Sequence, residues 1–84
     1  MIAYTFTKQA EAEFLKLPPE LQRRMLRKLE HFLAAPNPLT FAKRLVGTSR
    51  PSFRYQVGDY RIIFEWEGTH LLLLRIGHRR EIYR

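Results

Sequence analysis

The chain contains no cysteine. That removes disulfide staples and thiolate chemistry, and it fits a reducing cytoplasm. Long hydrophobic runs are also missing. The longest strongly apolar stretch is Leu71–Leu74, far short of the roughly 20 residues that a membrane helix needs. No basic-then-apolar leader opens the chain, so no secretory signal is expected. Glycine is sparse, with 4 residues scattered along the sequence. No glycine-rich phosphate loop and no Gly-x-Ser-x-Gly elbow is found. His31, His70 and His78 are dispersed, and no carboxylate stands at ligand spacing from them on a helix. Neither a metal site nor a cofactor is expected.

Negative charge is scarce as well. Asp and Glu number 8 against 15 Lys and Arg, a formal net charge of +7. The excess is uneven. Residues 1–40 carry 6 basic and 4 acidic side chains, whereas residues 41–84 carry 9 and 4, and of those 9 all but Lys43 are arginine. Arginine is favoured where a planar, forked contact to phosphate matters. The balance therefore predicts a polyanionic partner, with nucleic acid favoured. A length of 84 residues points to one domain over 1–84 with a thin core.

Periodicity supplies the elements. Ala3-Tyr4-Thr5-Phe6 suits a first strand. Thr7 is placed to cap a helix over Lys8–Lys16, with Ala10, Phe14 and Leu17 on one face. Pro18-Pro19 ends it, and Pro19 suits the first turn of a second helix running to about Ala34. Leu21, Met25, Leu29, Phe32 and Leu33 form its apolar stripe, opposite Arg23, Arg24, Arg27 and Lys28. Residues 39–51 read as a loop. From Ser52 the period changes to two, and turns at Gly58-Asp59 and Glu67-Gly68 divide three antiparallel strands. The order strand, helix, helix, strand, strand, strand is an α+β domain: an N-terminal strand, a two-helix hairpin and a three-stranded meander.

The alternation also assigns faces. Tyr60, Ile62, Phe64 and Trp66 form the larger apolar face of the middle strand and should meet the helices. Arg61 then points the other way, and Arg54 and Gln56 lie opposite their own strand's aromatic face. Arginines on an open sheet face make a poor core and a reasonable grip on a phosphate chain. The tail Gly77-His78-Arg79-Arg80-Glu81-Ile82-Tyr83-Arg84 adds an imidazole, guanidiniums and a phenol. RNA cleavage by its own 2′-hydroxyl needs a base for the 2′ proton, a cation at the crowded phosphate and an acid for the leaving 5′ oxygen. The alternative for this segment is an ordinary basic tail with Ile82 and Tyr83 packed on the core. His31 and His70 read as surface histidines.

Several blocks together resemble a known family. They are Lys43-Arg44-Leu45-x-Gly47, then Phe53-Arg54-Tyr55-x-Val57-Gly58-Asp59-Tyr60-Arg61-Ile62-Ile63-Phe64, then Ile76-Gly77-His78-Arg79-Arg80-Glu81-Ile82-Tyr83. With Tyr4-x-Phe6 and Leu17-Pro18 they resemble the RelE/ParE toxin superfamily, in the right order over nearly the whole chain. The resemblance implies a type II toxin: a metal-independent endoribonuclease that cuts messenger RNA in the ribosomal A site by 2′-hydroxyl attack and so inhibits translation. It implies a cognate, RelB-like antitoxin that silences the toxin and carries the complex to operator DNA. By matching positions, Arg61 would hold the scissile phosphate and Arg79 would stabilise the transition state. Tyr83 would stack on or bond near the reacting nucleotide, with His78 the preferred titrating group. Lys43, Arg44, Arg50 and Arg54 would contact RNA. Ribosome-dependent relatives often carry two lysines where Arg54 and Gln56 stand here. Arginine cannot act as a base, so His78, Tyr83 and Lys43 are all candidates. Two other functions fit the superfamily: a ParE-like inhibitor of DNA gyrase, and a non-catalytic module that pairs with the antitoxin as co-repressor.

Overall fold

The computed structural model describes residues 2–47 and 49–82 of the chain. A first strand, β1 (Ala3–Phe6), leads into helices α1 (Lys8–Leu15) and α2 (Pro19–Leu33). Four strands follow: β2 (Lys43–Arg44), β3 (Ser52–Val57), β4 (Tyr60–Trp66) and β5 (His70–His78). One sheet holds all the strands in the order β1-β5-β4-β3-β2. β1 lies parallel to β5, and every other neighbouring pair is antiparallel. The α+β class and the element order follow the sequence, with one addition. Residues 39–51, read as loop, contain β2, whose two residues pair Lys43 with Arg54 and Arg44 with Phe53. A strand that short carries no periodicity to read.

Local chemistry accounts for the helix ends. The Thr7 hydroxyl accepts a 3.1 Å bond from the Ala10 amide, which caps α1. At its other end the Gln22 side chain of α2 donates to the carbonyls of Leu15 (3.4 Å) and Leu17 (2.9 Å), groups that the helix itself leaves unpaired. Pro19 starts α2, where its missing amide costs nothing.

The helices cover one face of the sheet. Met25, Leu29, Phe32 and Leu33 of α2 and Ala10 of α1 join Tyr55, Val57, Ile62, Phe64, Leu71, Leu73 and Ile76 in one buried cluster. Its centre is aromatic. The Tyr55 ring lies 4.5 Å from Phe32 and 4.4 Å from Phe64, contacts worth about 0.5–1.5 kcal/mol each beyond their burial. The Tyr55 hydroxyl donates to the Pro38 carbonyl and so ties the segment after α2 to the sheet. Burial pushes that phenol up to about 12.

Two irregularities fix which side chains share a face. Gly58 sits at φ +61° in the two-residue turn between β3 and β4, the conformation a II′ hairpin needs at its first central position. In β5 the register slips: Ile63 pairs with Arg75 but Phe64 pairs with Leu73. Leu74 is the extra residue of a bulge, which re-phases everything after it. Leu71 and Leu73 face the helices, and after the bulge Ile76 does so again.

Candidate nucleic-acid interface

The face of the sheet away from the helices carries a group of basic residues. Antiparallel partners project to the same side, so the register groups them. Lys43 stands opposite Arg54. Gln56 stands opposite Arg61, and Arg61 opposite Gly77. Lys43, Arg54, Gln56 and Arg61 therefore form one row across β2, β3 and β4; the alternation in the sequence predicts the Arg54, Gln56 and Arg61 part of it, and β2 adds Lys43. Arg54 and Arg61 are partly buried, Lys43 and Gln56 exposed. The amide nitrogen of Gln56 donates to the Gly58 carbonyl at 3.0 Å.

Arg44 and Arg50 are placed differently. Arg44 pairs with Phe53, a neighbour of the helix-side cluster, so it projects away from the Lys43 row and is exposed. Arg50 lies 3.9 Å from the carboxylate of Glu65 at the far end of β4. The row and these two arginines do not share a single patch.

The tail begins later than the sequence suggests, because Gly77 and His78 are the last residues of β5. Gly77 is the floor of the tail's docking point. A Cβ built there would meet the Ile82 side chain at 3.7 Å, and Ile82 is 4% exposed. Since Gly77 faces the Arg61 side, Ile82 folds back onto the open face beside the row. The amides of Glu81 and Ile82 both donate to the His78 carbonyl, which turns the chain back. Ile63, 8% exposed, is also buried outside the helix-side cluster.

Arg79 extends the ladder: its amide donates to the Asp59 carbonyl at 2.9 Å. Its guanidinium lies 3.9 Å from the Asp59 carboxylate, with both side chains about half exposed or more, so the ion pair itself is weak. His78 is not brought to Arg61. It pairs with Tyr60, their rings meeting edge-on at 5.5 Å, and Tyr60 packs against the helix-side cluster. Its Nδ1 accepts the Arg80 amide at 3.2 Å, which places a neutral ring's proton on Nε2. The bulge explains the difference: an unbroken alternation from Leu71 would have turned residue 78 the other way. Tyr83 lies outside the described residues.

Sequence reasoning missed Glu13. Its carboxylate accepts from Arg75 at 3.0–3.2 Å and from the Ile76 amide at 3.0 Å. It closes the edge of β5 where β1 runs out at Phe6. Its partner lies 62 positions away, so no local pattern marks it. Among the described residues no His, Asp and Glu side chains gather as a metal site, and no helix is long and apolar enough to cross a membrane.

Comparison with known proteins places the family and the fold. Residues 4–83 match the model of the ParE toxin of the type II toxin–antitoxin system parDE. Among curated proteins no sequence matches. Of solved structures, the toxin–antitoxin complex RelBE2 from Mycobacterium tuberculosis is similar at 25% identity and a TM-score of 0.76, covering 93% of this chain and 98% of that one. The archaeal RelE–RelB complex from Pyrococcus horikoshii is similar at 26% identity and 0.71, covering 95% and 97%. The intact RelBE complex from E. coli shares the fold at 17% identity and 0.75, covering 93% and 96%.

Proposed function

The chain belongs to the ParE toxin family of type II toxin–antitoxin systems, within the RelE/ParE superfamily, and from that premise we propose that it is a cytoplasmic, ribosome-associated endoribonuclease. The observation that carries this reading is the register of Lys43, Arg54 and Arg61 on one open face. Fixed guanidiniums there suit the extra negative charge of a pentacoordinate phosphate, the role that preorganised donors play in phosphoryl chemistry. Arg61 holds the scissile phosphate. Arg54 and Lys43 bind the adjoining backbone, while Arg44 and Arg50 lie further out along the RNA. Arg79 stabilises the transition state from the start of the tail and gives a proton to the 5′ oxygen as it leaves. Tyr83 stacks on the reacting nucleotide. Of the base candidates, Lys43 shares the face of Arg61 and His78 does not, so the 2′ proton goes to Lys43 or Tyr83. The reaction uses no metal or cofactor.

The partner that silences it is an antitoxin. The similar RelBE2 and RelE–RelB structures are toxin–antitoxin complexes, and a net charge of +7 favours an acidic, RelB-like chain. Operator DNA is reached through that antitoxin. A second reading, inhibition of DNA gyrase, is favoured by the family model, which is that of ParE. A short pulse of expression without antitoxin separates the two. New RNA 5′ ends at fixed positions within translated frames support the ribonuclease. Intact messenger with blocked DNA replication overturns it in favour of gyrase.

A further inference from the structure

The exposed side of α2 is not uniform. Arg24, Lys28 and His31 stand at i, i+4 and i+7 and are all exposed, so they form one line along the helix, about 10 Å long. Arg23 lies about 100° further round the helix, off that line. Glu20 stands four residues before Arg24, a spacing that favours pairing. Among the described residues, however, neither Arg24 nor Lys28 forms an ion pair with a carboxylate.

Contacts fix both ends of the line. At one end the Arg24 guanidinium lies on the β3–β4 turn, where a Cβ on Gly58 would come within 3.2–3.6 Å of it. At the other end the His31 ring packs on Phe41 at 5.4 Å, in the segment that leads into β2. The turn is where this line meets the basic row. Gln56 donates to the Gly58 carbonyl at 3.0 Å, and Gln56 is paired with Arg61. Gly58 is thus flanked by Arg24 from α2 and by a member of the row from the open face. Only the Val57–Tyr60 pair separates Arg61 from the turn. Asp59, the carboxylate of the turn, lies toward Arg79 at 3.9 Å. An RNA strand held at Arg61 that continues over the turn therefore meets positive charge already in position. Exposed cations spaced along a surface attract a phosphate chain whatever its sequence. A guanidinium seated on a glycine backbone also loses less freedom on binding than one that moves freely.

We propose that the substrate strand runs on from Arg61 across the Gly58 turn and along Arg24 and Lys28, which bind its backbone phosphates. The proposal rests on the ribonuclease reading and adds to it a second stretch of the RNA path, on the helix side of the molecule. The test is binding of a single-stranded RNA of about 16 nucleotides by the full chain across a salt series. The RNA is 2′-O-methylated throughout, so that no 2′-hydroxyl can attack. Each phosphate contact on a single strand contributes about 0.7 to the slope of log Kd against log salt. Arg24→Gln and Lys28→Gln should each lower the slope by about 0.7, and together by about 1.4, for every RNA sequence alike. Arg24→Lys keeps the charge and should keep the slope, which separates a lost contact from a lost fold. Arg23→Gln removes the same charge from the same helix, off the line, and should leave the slope unchanged. Equal losses in the Arg23, Arg24 and Lys28 variants, or no loss in any, overturn the track. The ribonuclease reading then stands if the unsubstituted chain still makes new RNA 5′ ends in cells. Unchanged RNA slopes with slower association of the acidic antitoxin give the line to the protein partner and overturn the track as well. If the unsubstituted chain makes no new 5′ ends, the ribonuclease reading fails and the track fails with it.

Discussion

The two faces of β4 are made by the same seven residues and do opposite things. On the helix side Ile62 and Phe64 are 1% and 0% exposed. On the other side Arg61 sits one residue away, opposite Gln56 and Gly77, in a row that includes Lys43 and Arg54. One face buries apolar area and supplies stability; the other carries the partly buried Arg54 and Arg61 beside the exposed Lys43. The alternation of a strand lets adjacent residues serve separate functions. It also means that substitutions on the two faces should fail by different routes.

The largest effect should come from the buried side. Phe64→Ala removes a fully buried ring from the Tyr55 contact and should cost about 3–5 kcal/mol. In a domain this small that lowers Tm by more than about 10 °C, and toxicity falls because the protein unfolds. Arg61→Ala should leave Tm within about 5 °C yet slow cleavage about 10²–10³-fold, the loss of one transition-state donor. Thermal melts and cleavage rates on both variants test the contrast. An Arg61→Ala protein that folds and cuts at the parental rate removes Arg61 from the site.

Alkali probes the same core without changing a residue. In the unfolded chain a tyrosine ionises near 10, while burial pushes Tyr55 up to about 12. Between those values the folded state keeps a proton that the unfolded state has lost. Stability from this group is therefore complete below about pH 10 and falls as pH rises, by roughly 2–3 kcal/mol at about pH 12. Other phenols and lysines titrate in that range too, so Tyr55→Phe is the control. Denaturant unfolding across about pH 9–12 should show a steeper loss for the parent than for the variant. Parallel curves would mean that Tyr55 does not carry the effect.

A smaller effect belongs to a polar contact on the helix side. Glu13 receives Arg75 and the Ile76 amide where β5 has no strand neighbour. Glu13→Ala leaves that amide unpaired and should cost about 1–2 kcal/mol; both charged groups are partly exposed, which keeps the figure low. Glu13→Gln retains one acceptor and should recover about half. Cleavage at a temperature where both variants are folded should not change. A stability loss that Arg75→Ala fails to share in a double-mutant cycle would separate the ion pair from the amide bond.

What the sequence made legible follows from what is local. The Thr7 cap, the proline start of α2, the Met25–Leu29–Phe32 stripe and the alternation around Arg61 each depend on spacing within a few residues, and the structure has all of them. β2 was not legible, because two residues in extended pairing leave no period. The Glu13 contact joins residues 62 apart and leaves no trace in either neighbourhood. The bulge at Leu74 is the most consequential omission. Four leucines in a row hide which of them is extra, and the face of every later residue depends on that one slip.

His78 is where that slip acts on function, and it yields the smallest predicted effect. In sequence it stands in the tail motif beside Arg79 and is the natural choice for a titrating base. In the fold its ring meets Tyr60 on the helix side, and Arg61 projects from the opposite face. Its Nδ1 is occupied by the Arg80 amide, so its visible work is to shape the turn that sends Ile82 back over Gly77. A base must reach the proton it takes, within about 3 Å or through one water. His78→Gln keeps an acceptor near the Arg80 amide and removes the titrating ring. If His78 only shapes the turn, cleavage should fall less than about threefold and the pH dependence of the rate should be unchanged; a general base would cost about 10²-fold or more. The pH profile is the sharper readout, since a modest loss of tail order lowers the rate at every pH alike. A lost limb in that profile would return His78 to the chemistry, and would mean that the end of β5 turns over when RNA binds.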